Sequence, residues 1–120
     1  MQKLTTAEEE IMQFIWKLDR CTVSDIISTM KGEKPPHSTI SSIVRILEKK
    51  GFVDHKAYGR TYEYFHVISK ENYTKKTLSS FVKNYFDGSM DQLVSFLVQE
   101  EKMSKEELND LVKKLKKQNN

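Results

Sequence analysis

The chain has 120 residues and a formal net charge of +3, with 38% hydrophobic and 31% charged residues. This balance is typical of a globular protein rather than a disordered one, and no apolar run approaches the roughly 20 residues of a membrane-spanning helix. No signal-peptide core follows Met1, so we expect a cytoplasmic protein without direct membrane insertion. A single cysteine, Cys21, excludes an internal disulfide and a thiolate metal cluster, and we interpret it as a small buried apolar residue.

Two capped helices open the chain. Thr5 and Glu8 fit a capping box in front of a helix that is predicted from about Thr6 to Leu18, where apolar side chains recur at helical spacing. Thr22 and Asp25 fit the start of a second helix, with the acidic residue favourable at the positive helix end. Gly32 is predicted to end that second helix.

The third predicted helix, residues 38–50, follows the double proline at positions 35 and 36, which prevents the second helix from continuing. Its apolar residues share one face, and the opposite face is short, polar and basic. That face, with the lysines at the helix end, comprises Ser38, Thr39, Ser41, Ser42, Arg45, Lys49 and Lys50. Hydroxyl side chains cost helix propensity but let a helix lie deep in a DNA major groove, where an arginine can contact guanine. The alternative is an ordinary solvated helix.

Two β-rich runs, 52–57 and 61–67, flank Gly59 and predict a hairpin that forms a wing. Lys56 and Arg60 place positive charge on it, where it can touch phosphate or enter the minor groove. Residues 34–60 hold six basic and two acidic residues, a local charge of +4 that is typical of a phosphate-binding surface.

Three side chains alternate along the second strand and therefore share one of its faces: Tyr62, Tyr64 and His66. We favour packing of the wing on the helices for the two tyrosines, with base stacking as the alternative.

Three amphipathic helices are predicted after the hairpin, opened by Ser69, Ser89 and Ser104. A segment of about fifty residues struggles to stabilise itself alone, so we expect it to pair with a second copy and form a homodimer. The predicted dimerisation residues are Leu78, Phe81, Val82, Tyr85, Leu93, Val94, Leu97, Leu108, Leu111, Val112 and Leu115. The predicted fold is mainly α with a small β-hairpin: a winged helix-turn-helix DNA-binding domain over 1–68 and a three-helix dimerisation domain over 69–120.

Other classes of function fit the sequence less well. His37, His55 and His66 show no metal-ligand spacing, and no nucleophile partners them, so we expect no enzyme, cofactor or metal site. A winged-helix module that binds only proteins would favour an acidic or apolar third helix. The lysines of residues 113–117 could serve a membrane surface, but a solvated face accounts for them better.

Several segments together resemble the penicillinase repressor family of the BlaI/MecI type over nearly the whole chain. They are Leu4-Thr5-Thr6-Ala7-Glu8 leading to Ile15-Trp16, Val23-Ser24-Asp25-Ile26, Thr39-Ile40 through Leu47-Glu48-Lys49-Lys50-Gly51, the pair Tyr62 and Tyr64, and Gly88-Ser89-Met90. The resemblance implies a dimeric winged-helix repressor of β-lactam resistance genes that binds a palindromic operator. It places Ser38, Thr39, Ser41, Ser42 and Arg45, with wing residues near Arg60, against the operator.

The resemblance also implies a mode of release. In such repressors a membrane sensor-protease system responds to β-lactam, and the repressor is cut between Asn and Phe in its dimerisation helices. The matching position here is Phe96-Leu97, with Ser95-Phe96 one residue earlier, and the Asn is missing. A repressor that responds to another signal, such as a metal, is the alternative, although the tail lacks the cysteine motif of copper-responsive relatives.

Overall fold

A computed structural model describes residues 2–100 and positions 104, 106, 107 and 110. The chain divides into two compact units, residues 1–70 and 71–120. The described elements of the first unit are α1 (Thr6–Leu18), β1 (Arg20–Cys21), α2 (Val23–Thr29), α3 (His37–Lys49), β2 (Val53–Tyr58) and β3 (Thr61–His66). Two further helices follow, α4 (Lys70–Phe86) and α5 (Met90–Gln99). The predicted class, mainly α with a small hairpin, is confirmed.

Capping boxes begin α1 and α2 where the sequence predicts them. The Thr5 hydroxyl accepts from the Glu8 amide at 3.2 Å, and the Thr5 amide donates to the Glu8 carboxylate at 3.0 Å. Thr22 and Asp25 repeat this exchange at 3.1 and 2.9 Å. Helix α2 is shorter than predicted, because Met30 already has extended backbone angles and the helix ends before Gly32.

Helix α3 ends in a glycine-dependent turn. The Phe52 amide donates to the Leu47 carbonyl and the Gly51 amide to the Glu48 carbonyl, both at 3.0 Å. Gly51 has φ +84°, a left-handed conformation that glycine adopts without steric cost. This turn directs Phe52, which is fully buried, back under the helix and into the first strand of the hairpin.

The sheet has three strands in this part of the chain, one more than the predicted hairpin. The short strand β1 pairs antiparallel with β3, with Arg20 opposite Phe65 and Cys21 opposite Tyr64, so the strand order is β1-β3-β2. A two-residue strand is too short to leave a periodic pattern in the sequence. Cys21 is 1% exposed, which agrees with its interpretation as a small buried apolar residue.

The core of the first unit lies between the three helices and the sheet. Its most completely buried side chains are Met12, Ile15, Cys21, Ile26, Val44, Leu47, Phe52 and Val53. The end of the unit is also fixed: the amides of Val67 and Ile68 both donate to the Phe52 carbonyl, at 2.8 and 3.3 Å. The Trp16 indole donates to the Ile68 carbonyl at 2.9 Å.

In the second unit the side chain of Ser89 accepts from the Gln92 amide at 3.2 Å and caps α5 as predicted. The predicted cap of a sixth helix is also present, because the Ser104 hydroxyl accepts from the Glu107 amide at 3.1 Å. Four of the predicted dimerisation residues, Leu108, Leu111, Val112 and Leu115, lie outside the described residues. Among the helices described, none is both long and apolar enough to cross a membrane.

Candidate nucleic-acid interface

The outer face of α3 is open to solvent along the helix. The inner face is anchored in the core by Ile40, Val44 and Leu47, which are at most 3% exposed. Ser41, on the edge of the outer face, is half-buried. The exposed residues of the outer face are Ser38, Thr39, Ser42, Arg45 and Lys49. The helix therefore presents hydroxyl and basic side chains to solvent, and this orientation is held by the core.

The N-terminus of α3 favours negative charge. Its N-cap is Pro36, which offers no side-chain hydrogen bond, and the first turn contains no acidic residue. The amides of Thr39 and Ile40 donate to the Pro36 carbonyl, whereas those of His37 and Ser38 precede the first bonded turn. Such a helix end carries partial positive charge that suits a phosphate oxygen.

The hydroxyl of Ser42 is already committed as a donor. It donates to the Ser38 carbonyl one turn earlier at 2.9 Å, which satisfies the hydroxyl proton inside the helix. Its oxygen still has lone pairs for a donor from outside. Ser42 is therefore suited to accept a hydrogen bond, and Arg45 is the strong donor on this face.

A groove of about 440 Å³ lies between α3, the start of α2 and the wing. Helix α3 contributes Ser41 and Arg45, the wing contributes Arg60 and Tyr62, and α2 contributes Ser24. No acidic side chain lines this groove among the residues that the structure describes. Two guanidinium-bearing residues that are fifteen positions apart in sequence are thus brought to one concave, basic surface.

The wing turns at Gly59, whose φ of +63° is again left-handed. Tyr58 pairs with Thr61, so Gly59 and Arg60 form a two-residue loop at the tip. Arg60 and Lys56 are both exposed, but Lys56 lies opposite Glu63 in the strand register and does not line the groove.

His55 connects the wing to the end of α3, which the sequence does not predict. Its Nδ1 lies 2.5 Å from the Glu48 Oε1, and its ring stacks on Tyr62 with centroids 4.2 Å apart. Tyr64 packs against the same ring and is 4% exposed. Burial raises the pKa of Tyr64, and the nearby Glu48 carboxylate raises it further. Of the two tyrosines, Tyr64 packs in the core as favoured, whereas Tyr62 is 47% exposed.

Lys50 differs from the other predicted DNA-binding cations. Its ammonium donates to the Glu8 carboxylate at 2.6 Å and to the Lys3 carbonyl at 3.1 Å, at the start of α1. The hydrogen bond from Lys50, followed by that from the Thr5 amide, lowers the pKa of Glu8. The structure therefore places Lys50 in an intramolecular ion pair with a nearly buried carboxylate, apart from the groove.

Sequence reasoning missed several groove residues that lie outside the predicted third helix, 38–50. Thr22, Ser24 and His37 line it together with Tyr62. No periodicity links them, because the fold alone brings the start of α2 beside the wing. The hydroxyl residues at the start of α2, Thr22 and Ser24, are the one local signal that could have pointed to this surface.

The predicted dimerisation residues differ in exposure. Val82 is 4% exposed in the single chain, and Leu78, Leu93, Val94 and Leu97 are half-buried. Phe81 and Tyr85 are 45% and 72% exposed, with ring centroids 4.9 Å apart.

Two further aromatic rings, Phe86 and Phe96, extend this cluster, and Phe86 was not among the predicted residues. Phe86 lies 5.8 Å from Phe81 and 5.7 Å from Phe96, between ring centroids. Phe96, at the predicted cut, is 48% exposed on α5. The second unit thus has an exposed aromatic surface on its described helices.

Comparison with known proteins gives a family match over nearly the whole chain. The family described as penicillinase repressor matches residues 4–117. The methicillin resistance regulatory protein MecI of Staphylococcus aureus (strain N315) is 27% identical over 110 residues, which cover 91% of this chain and 89% of that protein. The penicillinase repressor of Bacillus licheniformis is 27% identical over 119 residues, covering 98% of this chain and 93% of the relative.

A solved structure is similar to the chain as well. It is the solution structure of the monomeric form of Bacillus licheniformis BlaI in complex with the blaP half-operator. The identity is 29% and the TM-score 0.50, and the match covers 60% of this chain and 89% of that one.

Proposed function

Because this chain belongs to the penicillinase repressor family, we propose that it is a transcriptional repressor that binds operator DNA through α3 and the wing. The observation that carries this proposal is the groove that Arg45 of α3 and Arg60 of the wing both line, with no acidic residue in its described lining. The structure of BlaI with a half-operator supports it, because that relative binds DNA with a similar fold.

In the proposed complex α3 enters the major groove. Arg45 makes a bidentate contact with a base edge, which supplies sequence discrimination of about 1–3 kcal/mol. Ser41 and Ser42 are short enough for the helix to approach closely, and the α3 N-terminus meets a backbone phosphate. Arg60 and Lys49 neutralise further phosphates, which fix the register of the helix on the duplex and make binding dependent on salt.

The repressor acts as a homodimer in this proposal. A contiguous surface of exposed aromatic rings is rare on a protein that remains monomeric. Phe81, Tyr85 and Phe96 form such a surface, joined through the ring of Phe86. A second copy of the same surface covers it. The dimer then presents two α3 helices to half-sites of a palindrome about one helical turn apart, roughly 34–36 Å.

Release from DNA follows from loss of the dimer. We place the cut at Phe96-Leu97 or at Ser95-Phe96, in a system whose membrane sensor-protease responds to a β-lactam. These bonds lie inside helix α5, so a protease must first unwind part of that helix. Each released monomer holds one half-site without a linked second one, and its occupancy of the operator falls.

The test uses duplexes that the full-length chain selects from a random-sequence library, with binding followed by fluorescence anisotropy. Replacing Arg45 with alanine is expected to weaken binding to the selected duplex about 10- to 100-fold. The matched control is Arg20→Ala, which removes the same charge from a partly exposed pair with Glu63 on the sheet. It is expected to change binding less than about twofold. Equal losses in the two variants, or no duplex selected at all, would contradict the proposal.

A further inference from the structure

Three side chains with metal-ligand chemistry meet at the junction of α3 and the wing. Glu48 comes from the last turn of α3, and Asp54 and His55 come from the start of β2. One ligand atom from each of the three lies within 4.8 Å of the other two. The spacing in sequence conceals this group, because the turn at Gly51 reverses the chain between the helix and the strand.

The local contacts orient all three groups. The Asp54 Oδ1 accepts from the His55 backbone amide at 2.8 Å, which orients that carboxylate at the start of β2. The His55 ring is held by its stack on Tyr62, with an angle of 18° between the planes. The Nδ1 atom faces the Glu48 carboxylate at 2.5 Å. The imidazole nitrogen therefore points at the Glu48 carboxylate, and a ligand atom of Asp54 lies within 4.8 Å of both groups.

Charge is unbalanced within this group. Two carboxylates share one imidazole, so a net negative charge remains whether or not the ring carries its second proton. A divalent cation balances both carboxylates when the imidazole is neutral. Around a zinc ion, ligand atoms lie about 2.1 Å from the metal and therefore about 3.4 Å from one another. A bound ion would replace the 2.5 Å His55–Glu48 hydrogen bond, and the two atoms would have to move apart to about this spacing.

We propose that Glu48, Asp54 and His55 bind one divalent transition-metal ion of the Zn²⁺ class. One imidazole and two carboxylates suit zinc and its neighbours in the first transition row, whereas calcium and magnesium prefer oxygen ligands alone. Solvent completes the coordination, because Asp54 is exposed. The ion would join the end of α3 to β2, the first strand of the wing.

The site lies next to the proposed DNA-binding surface. Tyr62 and Tyr64 contact His55 and also line the basic groove, so the metal neutralises two carboxylates close to where phosphates approach. This consequence rests on the proposed function. With less negative charge near the groove, metal-loaded protein is expected to bind its operator about fivefold more tightly than chelator-treated protein.

Metal binding is tested without DNA. The full-length chain is treated with a chelator, dialysed and titrated with ZnCl₂ by calorimetry, with CoCl₂ absorption as a report on coordination by nitrogen and oxygen. One ion per chain is expected, with affinity reduced at least about tenfold in His55→Gln and in Asp54→Asn. Asp54→Asn changes an exposed side chain and keeps the fold, so it remains informative if His55→Gln does not fold.

The matched control is His66→Gln, which removes another histidine that lies beside a carboxylate, 3.4 Å from Asp19. It is expected to bind Zn²⁺ as the unaltered chain does. Undiminished binding by Asp54→Asn and by any folded His55→Gln protein, or no saturable binding by the unaltered chain, overturns the metal site. Selected duplex bound without any Zn²⁺ uptake would refute the site alone, whereas Zn²⁺ uptake without duplex binding would refute the proposed repressor.

Discussion

Two neighbouring lysines at the end of α3 differ sharply in their surroundings. The Lys49 side chain is exposed, whereas the Lys50 side chain is only 20% exposed and lies 2.6 Å from Glu8, whose side chain is 8% exposed. Replacing Lys50 with methionine keeps the aliphatic stem but leaves the Glu8 carboxylate without its cation. Breaking a buried pair in this way costs about 3–5 kcal/mol.

The expected loss here is smaller. Part of the Lys50 side chain remains in water and the Glu8 carboxylate keeps the Thr5 amide, so we expect the free energy of unfolding to fall by about 2–3 kcal/mol. Lys49→Met is expected to change it by less than about 0.5 kcal/mol. Urea unfolding followed by Trp16 fluorescence measures both values. Replacing Glu8 with glutamine in the Lys50→Met protein should recover part of the loss, because no unpaired charge remains.

Acid titration gives an independent measurement of the same pair. Because the pKa of Glu8 is lowered in the folded protein, this carboxyl stabilises the fold above its unfolded pKa, and the stabilisation is lost as pH falls through the lowered folded value. Without Lys50 the folded pKa rises, so the dependence of stability on acid weakens over this range. The measurement is urea unfolding from ~pH 7 to ~pH 3.

In DNA binding we expect the opposite order: Lys49→Met should change the salt dependence of affinity, whereas Lys50→Met should not. Losing one phosphate contact makes the negative slope of log affinity against log salt shallower by about 0.9. We expect this change for Lys49→Met. Lys50→Met, measured where the protein remains folded, should keep the slope. Equal loss of stability in the two variants, or a reduced salt slope in Lys50→Met alone, would refute this account of the helix end.

Three other predictions concern the core, the second unit and the unit boundary. Burial raises the pKa of Cys21 to about 11, so we expect the thiol of the folded protein to resist iodoacetamide at ~pH 8 and to react only when the protein unfolds. Rapid alkylation of the folded protein, measured by intact mass, would contradict this. Tyr85→Asp should shift sedimentation equilibrium towards the monomer, whereas Asn84→Asp on the same helix should not; equal masses would speak against the aromatic interface. Trp16→Phe removes the indole hydrogen bond to Ile68 and should lower the free energy of unfolding by about 1 kcal/mol in urea titration; an unchanged midpoint would count against it.

Local chemistry explains what the sequence predicts well. The starts of α1 and α2 and the end of α3 can be predicted from the sequence, because each depends on residues only a few positions apart. These are the capping boxes at Thr5 and Thr22 and the glycine at position 51. The outward orientation of α3 is also readable, since its apolar residues repeat at a single helical period.

Contacts between distant residues explain what the sequence misses. The two residues of β1 become a strand only because β3 lies beside them, forty-odd positions later. Lys50 looks like its neighbour Lys49 in sequence, and only the packing of α1 against α3 gives it Glu8 as a partner. His55 shows no ligand spacing for the same reason, because its nearest carboxylate from another element lies across the Gly51 turn.

The hydrogen bonds at the end of the first unit bear on the proposed release from DNA. Val67 and Ile68 are held by the Phe52 carbonyl, and Trp16 holds Ile68 from the other side. The chain therefore leaves this unit from a point that is fixed by hydrogen bonds with the Phe52 carbonyl and the Trp16 indole. We therefore expect a cut at the proposed site near residue 96 to leave the first unit folded, so that operator binding is lost through separation of the dimer and not through unfolding.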